Sequence, residues 1–150
     1  MQWLADSSGS WAGESTLHLS WLPEDQRLHA GPSKMQIDAI GDHGPFRLAY
    51  DWQYEGATQR GEMLIAGTSP TTVALGWVDS WHQGADVMRL EGPLTDSMAA
   101  ASGTYQVEGH PAWGWRIEIE LTGDTLHFRM FNISPEGDEE WAVRASYKRS

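Results

Sequence analysis

The chain contains no cysteine. That removes disulfides, thiol nucleophiles and the sulfur-ligated zinc and iron–sulfur sites in one step. Positive charge is scarce: 10 Lys and Arg stand against 21 Asp and Glu, for a net charge of −11. So acidic a chain is repelled by nucleic acid and by anionic membranes, and no basic patch opposes that reading. Long apolar runs are missing too. No window approaches the roughly 18 apolar residues of a membrane-spanning helix. The opening MQWLADSSGS has neither a basic start nor an apolar stretch, so it does not read as a signal peptide. The expectation is a cytoplasmic protein with no nucleic-acid or membrane partner. A homodimer is compatible with everything in the sequence.

Histidine is present six times, as His18, His29, His43, His82, His110 and His127, but no pair has metalloprotease-like or other short ligand spacing. A zinc site is therefore not indicated. The acidic turn PEGDEE lacks the ligand spacing of an EF-hand loop.

What the chain does have is alternation. In PFRLAYDWQY, Phe46, Leu48, Tyr50, Trp52 and Tyr54 fall on one face of a strand, with Arg47, Asp51 and Gln53 on the other. A helix would scatter those rings around its axis. Similar runs recur at intervals set by turn chemistry such as GDHGP, YEGAT, AGTSP, LTGDT and SPEGDEE. About ten strands follow: 11–21, 34–40, 46–54, 59–66, 71–81, 87–90, a weaker one over 103–108, then 113–121, 125–133 and 141–148. DSMAAAS, 96–102, is the only candidate short helix, and PEDQRLHAGP, 23–32, has room for a helical turn or a lid. At 150 residues the chain fits one domain, 1–150. Short connections favour antiparallel neighbours. Closure into a barrel removes the exposed edges that an open sheet of this size would present. The fold class is all-β: a single antiparallel β-barrel of about ten strands with little helix.

Tryptophan is abundant, with 9 residues, and it suits positions apolar on one side and polar on the other. The stretch LGWVDSWHQG concentrates this chemistry. Val73, Leu75, Trp77, Asp79 and Trp81 share one parity, so Asp79 is expected to point inward with its apolar neighbours. Two readings of it are open. Either the strand frays and water solvates the carboxylate, or Asp79 is the polar handle of a cavity walled by Trp77 and Trp81, with His82 and Gln83 at the barrel mouth. Asp79 and His82 also form a conceivable acid/base pair. Ser80 falls on the opposite face, so a Ser–His–Asp arrangement is not supported. Arg116, Arg129 and Arg144 have two readings as well: a solvated outer face, or an inward grip on a carboxylate.

GSWAGES, Gly9 to Ser15, resembles the G-x-W opening of lipocalin-like (calycin) barrels, and its G-x-W-x-G spacing resembles that of nitrobindin-type haem barrels. GWVDSWHQG followed by MRLEGPL, with the closing SYKR, is similar to a bacterial family known as domain of unknown function 1579. The resemblance implies a lipocalin-like barrel with a cavity. It also implies that Trp11 closes one barrel end against a late arginine, Arg149 or Arg144, and it leaves haem held by His127 or another histidine as an alternative. The function expected is non-covalent binding of a small, partly apolar molecule, with Tyr50, Trp52, Trp77, Trp81, Trp115 and Phe128 as walls and Asp79 and His82 as the polar groups. No metal or other cofactor is called for. The rivals are the haem barrel, a cavity enzyme using Asp79 and His82 as acid and base, and a solid barrel acting through self-association.

Overall fold

In a computed structural model describing residues 1–150, ten strands close into one antiparallel barrel. They are β1 (Gly9–His18), β2 (Leu28–Ala39), β3 (Phe46–Tyr54), β4 (Ala57–Ser69), β5 (Thr72–Asp79), β6 (Met88–Pro93), β7 (Met98–Tyr105), β8 (Trp113–Thr122), β9 (Thr125–Ile133) and β10 (Glu139–Arg149). Each strand pairs with its neighbour in sequence, and β1 pairs with β10 to complete the ring. The alternation seen in the sequence is what permits this, because every second side chain can turn inward. In β3, Phe46, Leu48, Tyr50 and Trp52 are all buried. Their counterparts Ile117 and Ile119 of β8 and Leu126, Phe128 and Met130 of β9 meet them in one core.

The outer face is where the arginines lie. Arg116 pairs with Glu118 and Glu139, and Arg129 with Glu118 and Glu120. Arg144 lies over the Trp141 ring at 4.3 Å. None of the three points into the barrel to grip a carboxylate.

One end of the barrel is closed by a helix the sequence pattern does not reveal, α1 (Gln2–Asp6). Its Trp3 and Leu4 enter the core. Trp11 donates its indole N–H to the Ser7 carbonyl at 2.8 Å. Arg149 lies 4.8 Å from the Trp11 ring centre and donates to the Ser8 and Asp6 carbonyls at 2.8 and 2.6 Å. Of the two late arginines, Arg149 is therefore the one that closes the end. Neither α1 nor the 3-10 turn Glu24–Gln26 is long and apolar enough to cross a membrane.

Three local expectations are corrected. The helix expected over 96–102 is a bend followed by β7. Ala99 and Ala101 face inward opposite Ile119 and Ile117, and strand pairing overrides the helix preference of the alanine run. Strand β1 ends at His18, and Trp21 is 71% exposed beyond it, because the chain turns at Ser20–Leu22. Strand β2 begins at Leu28, six residues earlier than expected. Most of PEDQRLHAGP thus serves as a short turn and a strand start.

Candidate functional site

The odd-numbered strands β1 to β9 all end at the barrel mouth opposite α1, and the even-numbered strands start there. Asp79, the last residue of β5, carries the inward parity of Val73, Leu75 and Trp77 to this mouth. It does not fray into water. Its side chain is fully buried, and the cost of burying a carboxylate is offset by hydrogen bonds. Its Oδ1 accepts from the backbone N–H groups of Trp81 and His82 at 2.8 and 2.9 Å. Those bonds to the residues two and three ahead make the Asx-type turn that ends the strand. Its Oδ2 accepts from the Tyr50 hydroxyl at 2.8 Å, and that hydroxyl accepts from the Trp77 indole N–H at 2.9 Å.

A glycine makes this chain of bonds possible. Gly61 of β4 sits between Tyr50 and Asp79 in the sheet, paired with both. A Cβ there would lie 2.2 Å from the Tyr50 ring. Without it, the ring lies across β4 and reaches the carboxylate one strand further on.

The turn after Asp79 folds His82 back over the mouth. Its Nδ1 lies 3.1 Å from Asp79 Oδ1, and the ring is ringed by Trp81, Trp52, Trp115 and Trp77 at 4.8, 5.4, 5.5 and 6.1 Å between centres. Trp77 and Trp115 stack nearly parallel, 5.6 Å apart at 6°. Burial pushes the Asp79 carboxyl up, but the hydrogen bond and charge of His82 and the two backbone N–H groups outweigh it, leaving the carboxyl below its ordinary value. Burial, and then the negative charge of Asp79, push the Tyr50 hydroxyl well above the usual phenol range, so it stays a proton donor.

Two adjoining cavities open here. The larger, about 390 Å³, is bordered by Leu19, Trp81, His82, Tyr105, Trp115 and Trp141 among others. The smaller, about 130 Å³, is bordered by Trp77, His82, Gln83, Met88, Tyr105 and Trp115. His82 Nε2, Gln83 Nε2 and Trp115 Nε1 are buried nitrogens with no hydrogen-bond partner.

Of the residues singled out in the sequence, Trp81, His82 and Trp115 border the larger cavity and Trp77 the smaller one. Asp79 and Tyr50 lie behind them as the hydrogen-bonded support. Trp52 packs on His82 and Trp81 without bordering either cavity. Phe128 lies deeper, 1% exposed, with its ring 4.9 Å from that of Tyr50. Tyr105, Trp113, Asn132 and Trp141 border the larger cavity and escaped the sequence reading. Trp113 and Trp141 had the right strand parity as a signal, whereas Tyr105 lay in the weakly patterned run 103–108, where no apolar alternation marked a face. His127 faces outward and pairs with Ser146 at 3.1 Å, so it does not fit a haem inside the barrel.

The family described as "Protein of unknown function (DUF1579)" matches residues 1–149. No curated protein matches the chain. Among solved structures, the crystal structure of Rv2717c from M. tuberculosis aligns with a TM-score of 0.67 at 14% identity, covering 99% of this chain and 96% of that one. At that identity the likeness concerns the fold alone.

Proposed function

The chain belongs to this family of proteins of unknown function, DUF1579, and we propose that it binds a small, partly apolar molecule non-covalently at the aromatic barrel mouth. One observation carries the reading: His82, Gln83 and Trp115 border the smaller mouth cavity, and each carries a buried nitrogen without a hydrogen-bond partner. Each unsatisfied buried polar group costs about 1–3 kcal/mol. An occupant that satisfies them recovers that cost. The larger cavity, at about 390 Å³, is within the range of small-molecule sites, roughly 300–1,000 Å³. Its aromatic walls supply the apolar contact, and the Trp77–Tyr50–Asp79–His82 chain holds the polar edge in place.

The Asp79–His82 pair supports a second reading, acid/base catalysis on the same occupant. Asp79 orients the imidazole, and the free Nε2 is the atom that would exchange a proton. Ser80 hydrogen-bonds Gln59 and Arg60 on the outer face, so a serine nucleophile forms no part of it.

Native mass spectrometry of the purified protein, with an absorption spectrum of the same sample, tests the binding reading. A reproducible extra mass that leaves on denaturation supports it. A bare mass, with no quenching of tryptophan fluorescence by a panel of aromatic and lipid probes, overturns it. A Soret band would make haem the occupant and redirect the search to His82, whose Nε2 is free.

A further inference from the structure

The larger mouth cavity, about 390 Å³, is walled by aromatic rings and one unmatched charge. Five tryptophans border it: Trp21, Trp81, Trp113, Trp115 and Trp141. Glu140 is the one carboxylate on the wall, and no Lys or Arg joins it. Glu140 accepts from the Ser20 hydroxyl at 2.7 Å and forms no ion pair. Two histidines also border the cavity. The positive charge of His82 is matched by the Asp79 carboxylate 3.1 Å away. His18 donates from Nδ1 to the Trp141 carbonyl at 2.9 Å.

The rim repeats the sign of Glu140. The loops around the mouth join β1 to β2, β3 to β4, β5 to β6, β7 to β8 and β9 to β10. Each carries an exposed carboxylate, Glu24, Glu55, Asp86, Glu108 and Glu136 in turn, and Arg27 is the only Lys or Arg in any of them. An opening with one sign of charge over low-dielectric walls raises the local concentration of the opposite ion. An anion is repelled from it. A bare metal ion finds no seat, since no group of three His, Cys, Asp or Glu side chains could hold one.

Tryptophan rings attract an organic cation through their π-systems while covering its apolar body. Trp141 already has Arg144 over its ring at 4.3 Å, and Trp115 stacks on Trp77. Trp21 and Trp113 have no aromatic or cationic partner. Trp21 is also 71% exposed, a large ring left uncovered beside the cavity. Resting on the binding reading above, we propose that the occupant is a monovalent organic cation, an alkylated nitrogen on a flat apolar body. Its charged end sits beside Glu140, and Trp21 and Trp113 complete its cover. Aromatic cages hold quaternary nitrogen in this way, and the single carboxylate offsets its charge.

The test compares three probes of similar shape on the full chain, by calorimetry and tryptophan fluorescence: N-methylquinolinium, its uncharged carbon counterpart 1-methylnaphthalene, and 1-naphthoate. N-methylquinolinium is expected to bind about 10-fold or more tighter than 1-methylnaphthalene, as cation–π contact with more than one ring implies. Raising salt from about 20 to about 200 mM should weaken the cation severalfold and leave 1-methylnaphthalene unchanged. Glu140→Gln should weaken the cation about 5-fold at low salt and flatten that salt dependence. Trp21→Leu should weaken it about 3-fold. Both substitutions are at exposed positions, so an unchanged Tm is expected beside the lost affinity. Equal or tighter binding of 1-methylnaphthalene overturns the cation assignment while the binding reading survives. So does tightest binding by 1-naphthoate. Cation binding that neither Glu140→Gln nor Trp21→Leu alters overturns the assignment of this site. If none of the three probes binds, the cation assignment fails, and a bare native mass takes the binding reading with it.

Discussion

Replacing Tyr50 by Phe removes one oxygen and leaves the shape of the core almost unchanged. That oxygen accepts from Trp77 Nε1 at 2.9 Å and donates to Asp79 Oδ2 at 2.8 Å. Tyr50 is 5% exposed, Trp77 1% and Asp79 2%, so water does not readily take its place. Two buried groups lose a partner: a neutral indole N–H and one oxygen of a carboxylate. Each such loss costs about 1–3 kcal/mol. Two such losses sum to about 2–6 kcal/mol, and because Asp79 keeps three donors on Oδ1 the cost falls in the lower part of that range, about 2–4 kcal/mol. For a chain of this length, about 3 kcal/mol corresponds to a fall of roughly 6–12 °C in Tm. Urea titration followed by circular dichroism measures it, with an unchanged m-value showing that the unfolding reaction is the same. The control is Tyr105→Phe. That hydroxyl bonds Asn132 at 2.7 Å in a partly exposed setting, and its loss should cost under about 1 kcal/mol. If Tyr50→Phe costs less than about 0.5 kcal/mol, the bonded chain from Trp77 to Asp79 does not hold the mouth and the argument fails. A double-mutant cycle with Asp79→Asn should show coupling, because both substitutions act on one bond.

Gly61→Ala should cost about 3 kcal/mol or more, above the usual range for overpacking, because its Cβ would lie 2.2 Å from the Tyr50 ring and would break the bond to Asp79 as well. Thermal unfolding reads this, and a near-wild-type midpoint would show that the ring has another place to go. Arg149→Met should lower stability by about 1–2 kcal/mol through lost contacts with Trp11 and the carbonyls closing the helical end. Hydrogen exchange should quicken in residues 2–8 and not at the mouth. Asp79 has a folded pKa below its ordinary value, so its carboxylate contributes stability that is fully present above the unfolded value of about 3.9. That contribution is lost as pH falls through the lower folded value. The urea midpoint should therefore drop more steeply below pH 4 in the parent than in Asp79→Asn; parallel curves would contradict the assignment.

Strand periodicity made the barrel legible in the sequence. A side-chain period of two can bury one face only in a sheet, and Phe46 to Tyr54 or Trp113 to Leu121 fit no other element. The same parity placed Asp79 inside. It could not say whether the carboxylate would be wet, because that depends on Tyr50, 29 residues away. The helix over 2–6 was not legible, since a stretch that short has too few apolar positions to show a period. The alanines of β7 misled because their intrinsic preference is for helix, and only pairing with β8 decides otherwise.

The walls of the mouth divide in the same way. Trp77, Trp81, His82 and Trp115 were found because they lie in or beside clear strands. Phe128 was chosen by its ring and its parity, but its depth along the barrel axis is a matter of register, and it lies in the packed core. Tyr105, Trp113, Asn132 and Trp141 come together at one end only after the strands are staggered and closed. By itself the sequence determined the architecture, because alternation and turn chemistry are local. Only the tertiary structure decided the candidate site, because its hydrogen-bond partners and unpartnered nitrogens come from β3, from β5 and the turn after it, and from β8, which closure of the ring brings together.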